Sequence, residues 1–158
     1  MKAGILIGHL NNAGNESSLI RTAEALGINL VFVKGTRRDE YTNAQGADKD
    51  VVYLEFDGYS EIVEYAHRNN HSIVCIENIN RAVEISAVEK YGKNPIFVTG
   101  NESSGVPDHL LENADLVVKI QHGIGYMKCL NTTIAAAIVM HDFFKKEQAR
   151  REAKWEGK

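Results

Sequence analysis

The chain has 158 residues, of which 44% are apolar and 25% charged, and carries a formal net charge of −3. That composition is the one expected of a single ordinary globular domain with room for a layered core. It excludes a protein that coats nucleic acid through bulk positive charge, and no apolar run approaches a transmembrane span.

The first apolar run, Ala3–Gly8, predicts a strand. It is too short for a secretory h-region and lacks a cleavage site, which predicts a cytoplasmic protein. It leads through the pentapeptide Gly14-Asn-Glu-Ser-Ser18 into a predicted helix over Ser17–Leu26. Leu19, Ile20, Ala23 and Leu26 share one face of that helix, and Arg21 projects from roughly the opposite side. A strand is predicted over Asn29–Val33. Lys34, Arg37 and Arg38 then form a small basic group beside a polar stretch, Gly35–Asp50, that has no periodicity and predicts a long loop. Next come a strand over Val51–Phe56, a helix over Ser60–Asn69, a strand over Ser72–Ile76, a helix over Asn80–Tyr91 and a strand over Pro95–Thr99. The same pentapeptide recurs as Gly100–Ser104. It is followed by a predicted helix over Pro107–Asn113, a strand over Leu116–Ile120 and a long helix over Leu130–Arg151.

Short Val-, Ile- and Phe-rich runs alternating with helix-period segments give an α/β fold, a parallel sheet covered on both faces by helices. In such folds a Gly-rich polar turn between strand and helix exposes backbone N–H groups where ligands bind. Gly, Asn and Ser also make ordinary turns and caps, so the pentapeptide alone leaves both readings open. In the last helix Leu130, Ile134, Ala137, Ile138 and Phe144 lie on or near one face, and Ala135-Ala136-Ala137 are small enough for another backbone to approach. That pattern fits a core helix or one shared between the core and a dimer interface. From Phe143 to Lys158 six basic residues face three acidic ones, which fits a solvated helix face or a surface that contacts phosphates.

Several motifs fail. Gly100–Gly105 has the glycine spacing of a phosphate loop but is followed by Val106-Pro107, not by Lys-Ser/Thr. No G-x-G-x-x-G follows the first strand and no serine sits in a G-x-S-x-G elbow. The six histidines and two cysteines show no metal-ligand spacing, so no metal is expected. Cys75 and Cys129 lie in apolar contexts and are expected to be buried free thiols.

Three segments in order resemble the SpoU (TrmH-like) branch of the SPOUT RNA methyltransferases. Asn15-Glu-Ser-Ser-Leu-Ile-Arg21-Thr-Ala-Glu-Ala-Leu-Gly27 is similar to the family's N-x-G-x-x-x-R-T-A-x-x-x-G. Ile96-Phe-Val-Thr-Gly100-Asn-Glu102-Ser-Ser-Gly105-Val-Pro107 resembles its strand followed by G-x-E-x-x-G. Ile120, followed by Cys129-Leu-Asn131-Thr-Thr-Ile-Ala-Ala-Ala, resembles I-P-x…S-L-N-V-S-x-A. The chain departs from the pattern at Ser17, a glycine in the family, at Gln121, where proline is usual, and at Cys129, where serine is usual.

The resemblance covers essentially the whole chain and implies a single SPOUT domain over residues 1–158 with no appended RNA-binding domain. It implies a parallel sheet whose C-terminal segment forms a deep trefoil knot. It also implies S-adenosylmethionine held near Ile76, Gly100, Ile120, Cys129 and Leu130, and a homodimer in which Arg21 acts beside the partner's cofactor. The activity implied is methylation of a ribose 2′-hydroxyl in tRNA or rRNA, with Arg21, Asn15, Glu102 and Asn131 as the catalytic group. Arg37, Arg38, Lys145, Lys146 and Arg150 are the expected contacts to RNA phosphates. The competing expectation is a knotted RNA-binding dimer without catalytic activity.

Overall fold

In a computed structural model, which describes residues 2–123, Gly125 and residues 129–157, seven parallel strands form one sheet. In chain order the elements are β1 (Gly4–Ile7), α1 (Ala13–Ala25), β2 (Leu30–Lys34), β3 (Val52–Phe56), α2 (Tyr59–Arg68), β4 (Ile73–Ile76), β5 (Val83–Glu84), β6 (Ile96–Thr99), α3 (Asp108–Glu112), β7 (Leu116–Lys119) and α4 (Thr132–Glu156). The strand order is β3-β2-β1-β6-β4-β7-β5. β1, β4 and β6, at the centre, are buried at all four positions, as a parallel sheet covered on both sides requires.

Side-chain alternation sorts the strands between two cores. Ile5, Ile7, Val31, Val33, Val74 and Phe97 pack under α1 and α4, against Leu19, Ile20, Ala23, Val139, Met140 and Phe143. Leu6, Phe32, Ile73, Cys75, Ile96 and Val98 pack under α2 and α3, against Ile62, Val63, Ala66 and Leu110. The stretch Gly35–Asp50 holds two short 3₁₀ turns, Thr42–Ala44 and Ala47–Lys49, and buries Tyr41 and Ala44 in the first core. No helix among the described residues is long and apolar enough to cross a membrane.

Three expectations are corrected. The helix expected over Asn80–Tyr91 is absent. Val83–Glu84 instead pairs with Val118–Lys119 as an edge strand, followed by a 3₁₀ turn at Ile85–Ala87. The β-branched Val83, Ile85 and Val88 favour that outcome, and the added strand covers the open edge of β7. The apolar stripe noted on the last helix does not serve the core, which leaves it as the outer side of a helix shared between core and surface. Thr133, Ala136, Val139, Met140 and Phe143 are buried, whereas Leu130, Ile134, Ile138 and Phe144 are exposed, Ile134 at 54%. Cys75 is buried as expected, with its thiol pushed up to about 12 by burial, but Cys129 is exposed because it precedes the helix on an irregular segment.

Candidate active site

The carboxyl ends of β4, β6 and β7 open onto one cavity of about 480 Å³, closed on its far side by the start of α4. That is where open α/β sheets bind ligands, and the volume lies within the roughly 300–1,000 Å³ of small-molecule sites. Two tethers hold α4 over it. The Thr132 hydroxyl donates to the Gly100 carbonyl at 2.6 Å, and the Thr99 hydroxyl donates to the Thr132 carbonyl at 3.1 Å. The Asn131 side chain caps α4, its oxygen accepting from the N–H groups of Thr133 and Ile134 and from the Thr133 hydroxyl.

Ile76, Gly100, Ile120, Cys129 and Leu130 all line this cavity, as do Glu102 and Asn131. Gly100 has a further duty. A Cβ there would lie 3.1 Å from the Gly105 Cα, so glycine lets the two arms of the turn close through the mutual Asn101–Gly105 backbone hydrogen bonds without pushing that backbone aside. Glu77, which also lines the cavity, steadies that turn by accepting from the Val106 N–H at 2.9 Å. Glu77 lies outside all three family-like motifs and carries no sequence signal of its own.

Glu102 joins the first and second motifs. It accepts from the Asn15 Nδ2 at 2.7 Å and from the Asn11 N–H at 2.9 Å. Burial alone would raise its carboxyl, but these hydrogen bonds outweigh burial and hold it below the usual carboxylate range. Asn12, not a pentapeptide residue, caps α1 through its side-chain oxygen. Asn101 reaches the His9 carbonyl at 2.6 Å, and the ring of His9 meets the Thr99 carbonyl at 2.7 Å through Nε2. Two residues without an assigned part in the sequence therefore matter here: Asn101 fastens the ends of β1 and β6, and Glu16 is buried behind them. The Glu16 carboxylate accepts from the Gly8 N–H at 2.9 Å and pairs with Arg38 Nε at 3.1 Å. An acidic residue in a helix's first turn reads from sequence as a solvated charge, so nothing signalled its burial.

Arg21 is not brought to Glu102 within the protomer. It is exposed, and lines a second hollow of about 520 Å³ with Ser18, Thr22, Asn43, Ala137 and His141, between α1 and α4. Of the expected RNA contacts, three are engaged within the protomer: Arg38 with Glu16, Lys146 with Asp142 and the Ile85 carbonyl, and Arg150 with Glu147 and the Glu89 carbonyl. Arg37 is exposed with its guanidinium over the Tyr53 ring, and Lys145 is exposed.

The SpoU rRNA Methylase family model matches residues 3–141. The chain belongs to that family. It is 22% identical over 135 residues to the tRNA (guanosine(18)-2′-O)-methyltransferase of Saccharomyces cerevisiae, covering 82% of this chain and 9% of that protein. It is 25% identical to a TrmH family protein of Staphylococcus saprophyticus, covering 90% of this chain and 58% of that one. The chain thus spans only part of the length of these relatives. Among solved structures, the TrmH/SpoU tRNA modifying enzyme of A. aeolicus superposes with a TM-score of 0.81 at 22% identity, over 94% of this chain and 76% of that one. The SpoU methyltransferase AviRb of Streptomyces viridochromogenes, solved in complex with AdoMet, gives 0.82 at 19% identity, over 94% and 61%. These likenesses establish a SPOUT-type α/β fold.

Proposed function

We propose that this SpoU family member is an S-adenosylmethionine-dependent RNA methyltransferase that modifies a ribose 2′-hydroxyl in tRNA or rRNA, working as a cytoplasmic homodimer through a knotted domain. The observation that carries the reading is the convergence of Ile76, Gly100, Ile120, Cys129, Leu130, Glu102 and Asn131, from three separate segments, on one cavity. The cavity suits the cofactor. Apolar Ile76, Ile120 and Leu130 offer a slot for a purine, and Glu77, Glu102 and Lys119 supply charge of both signs for an amino-acid end. When bound, the cofactor supplies an electrophilic methyl group on a sulfonium. The hydrogen bond from Thr132 to Gly100 ties the chain that follows β7 back onto the loop that follows β6, an arrangement compatible with the knot.

Arg21 would orient the ribose, clamp the adjacent phosphate and stabilise the developing alkoxide. A guanidinium is not deprotonated in proteins, so a phosphate oxygen or water takes the 2′-hydroxyl proton. Asn15 and Glu102, locked together at 2.7 Å, would position the sugar, with the amide nitrogen of Asn131 as a further donor beside its capping oxygen. Separation of Arg21 from Glu102 in one protomer supports the partner-subunit arrangement, as does the outward apolar set Ile134, Ile138 and Phe144 on α4. Arg37 and Lys145, exposed, are the better-placed phosphate contacts; Arg38 bonds Glu16 through Nε alone and keeps its terminal amino groups for a phosphate, whereas Lys146 and Arg150 are partly committed to Asp142 and Glu147.

Incubation with labelled S-adenosylmethionine and tRNA or rRNA, followed by mapping of ribose methylation, tests the activity. Arg21→Ala is expected to abolish transfer while leaving cofactor affinity, measured by calorimetry, nearly unchanged. Failure of the wild-type protein to bind the cofactor overturns the enzyme reading, and cofactor binding without transfer to any tRNA or rRNA favours the inactive RNA-binding dimer.

A further inference from the structure

Among the described residues three side-chain polar atoms are buried without a hydrogen-bond partner: His9 Nδ1, Tyr53 OH and His122 Nε2. Two of them belong to groups whose place in the fold is otherwise explained. His9 bonds the Thr99 carbonyl through its other nitrogen, and the Tyr53 ring stacks on Tyr41 and packs against the Arg37 guanidinium. Neither residue lines the candidate active site. His122 does line it. It lies beyond β7 on a segment without regular structure, so no sheet register forces its ring inward. Leaving a polar nitrogen buried and unpaired is unfavourable. A ring on an irregular segment would turn to water unless a ligand met it.

We infer that the His122 side chain is a ligand-contacting residue of the methyl-donor site, with Nε2 forming a hydrogen bond to the adenosine half of the cofactor. The inference rests on the proposed function and adds to it a side chain that the motif comparison did not assign. The choice of the adenosine half follows from the lining. His122 lies two residues after Ile120, whose apolar side chain, with Ile76 and Leu130, suits a flat purine. Neutral imidazole offers one donor and one acceptor nitrogen, and adenosine presents both kinds of partner on its base edge and ribose.

The test uses the full chain and two probes, S-adenosylhomocysteine and 5′-methylthioadenosine, the second of which lacks the amino-acid end. His122→Ala is expected to weaken both by the same factor of about ten, the effect of one lost hydrogen bond between neutral groups. His122→Gln, which keeps donor and acceptor atoms, is expected to recover part of that loss. In wild-type protein labelled with ¹⁵N-histidine, the His122 Nε2 resonance is expected to shift on adding either probe, which a merely structural histidine would not show. Equal affinities of wild type and His122→Ala for both probes overturn this inference and leave the proposed function standing. So does a loss confined to S-adenosylhomocysteine, which would put the ring at the amino-acid end. Wild-type protein that binds neither probe overturns the proposed function, and this inference with it.

Discussion

Glu16 offers the sharpest test of how the first motif is built. Its side chain is 3% exposed, and its two oxygens accept from the Gly8 N–H at 2.9 Å and from Arg38 Nε at 3.1 Å. Two unit charges about 4 Å apart attract by roughly 4 kcal/mol at an effective dielectric of about 20. Desolvation of the carboxylate offsets much of that attraction, and the half-exposed Arg38 rehydrates cheaply when released. Glu16→Gln preserves volume. Its amide oxygen can still accept from Gly8, but the amide nitrogen then faces Arg38 Nε, donor against donor. The expected cost is about 2 kcal/mol, the worth of one charge-assisted hydrogen bond, or a fall of roughly 5 °C in Tm for a domain of this size. Glu16→Ala removes both hydrogen bonds and leaves space unfilled, so the loss should reach about 3–4 kcal/mol. Urea unfolding followed by circular dichroism, with an unchanged m-value, measures both. A double-mutant cycle with Arg38→Met should return about 1–2 kcal/mol of coupling. A Glu16→Gln variant within about 0.5 kcal/mol of wild type would refute the reasoning, since the buried charge would then contribute nothing.

Gly8 has φ +88°, and a Cβ there would lie 2.2 Å from the Lys34 carbonyl oxygen. Gly8→Ala is therefore expected to lose more than about 3 kcal/mol in urea unfolding or to yield no folded protein, and near-native stability would contradict that geometry. Burial holds the His9 imidazole below its ordinary 6.5, against the opposing influence of its hydrogen bond to Thr99 and of Glu16 and Glu102. The unfolded chain therefore takes up the proton first as pH falls. Stability should drop as pH descends through 6.5 towards the folded value, with a slope of at most about 1.4 kcal/mol per unit from this group, and His9→Gln should flatten it in unfolding curves. Ile134→Lys with Ile138→Lys should convert the proposed dimer to a monomer in sedimentation velocity while leaving the circular dichroism spectrum intact; a dimer that survives both would move the interface off α4.

Most of the sheet was legible because parallel central strands write continuous apolar runs into the sequence, and β1, β4 and β6 do so. The segment around Val83 was not, because Ala82, Ile85 and Val88 recur every three residues, which a short 3₁₀ turn satisfies as well as a helix does. The orientation of α4 was illegible for a different reason. The helix has apolar residues on two sides, Val139, Met140 and Phe143 on one and Ile134, Ile138 and Phe144 on the other. Periodicity reports that an apolar stripe exists; it does not say which of two stripes meets the sheet. The cavity was legible only through the ordered motifs, since the segments that line it are far apart in sequence.

The repeated Gly-Asn-Glu-Ser-Ser shows what fixes local structure when five residues are identical. In the first copy Asn12 has already capped the helix, so Gly14 and Asn15 fall within its first turn, and Leu19 and Ile20 bury the helix that follows. In the second copy no cap precedes. The Asn101 side-chain oxygen accepts from the N–H groups of Ser103 and Ser104, Gly105 follows at φ +73°, and Pro107 disfavours helix at Val106. The same asparagine is thus a helical residue whose side chain makes no bond to its own turn in one place and the organiser of a turn in the other. The two copies then meet. Asn15 Nδ2 of the first donates to Glu102 Oε1 of the second across 87 positions of sequence. Each copy supplies what the other has committed elsewhere, because Asn101 is taken up by its turn and Glu16 by Gly8 and Arg38. Identical pentapeptides in different conformations thereby present complementary side chains, and their junction ties the first turn of α1 to the turn after β6, beside the cavity that Glu102 lines.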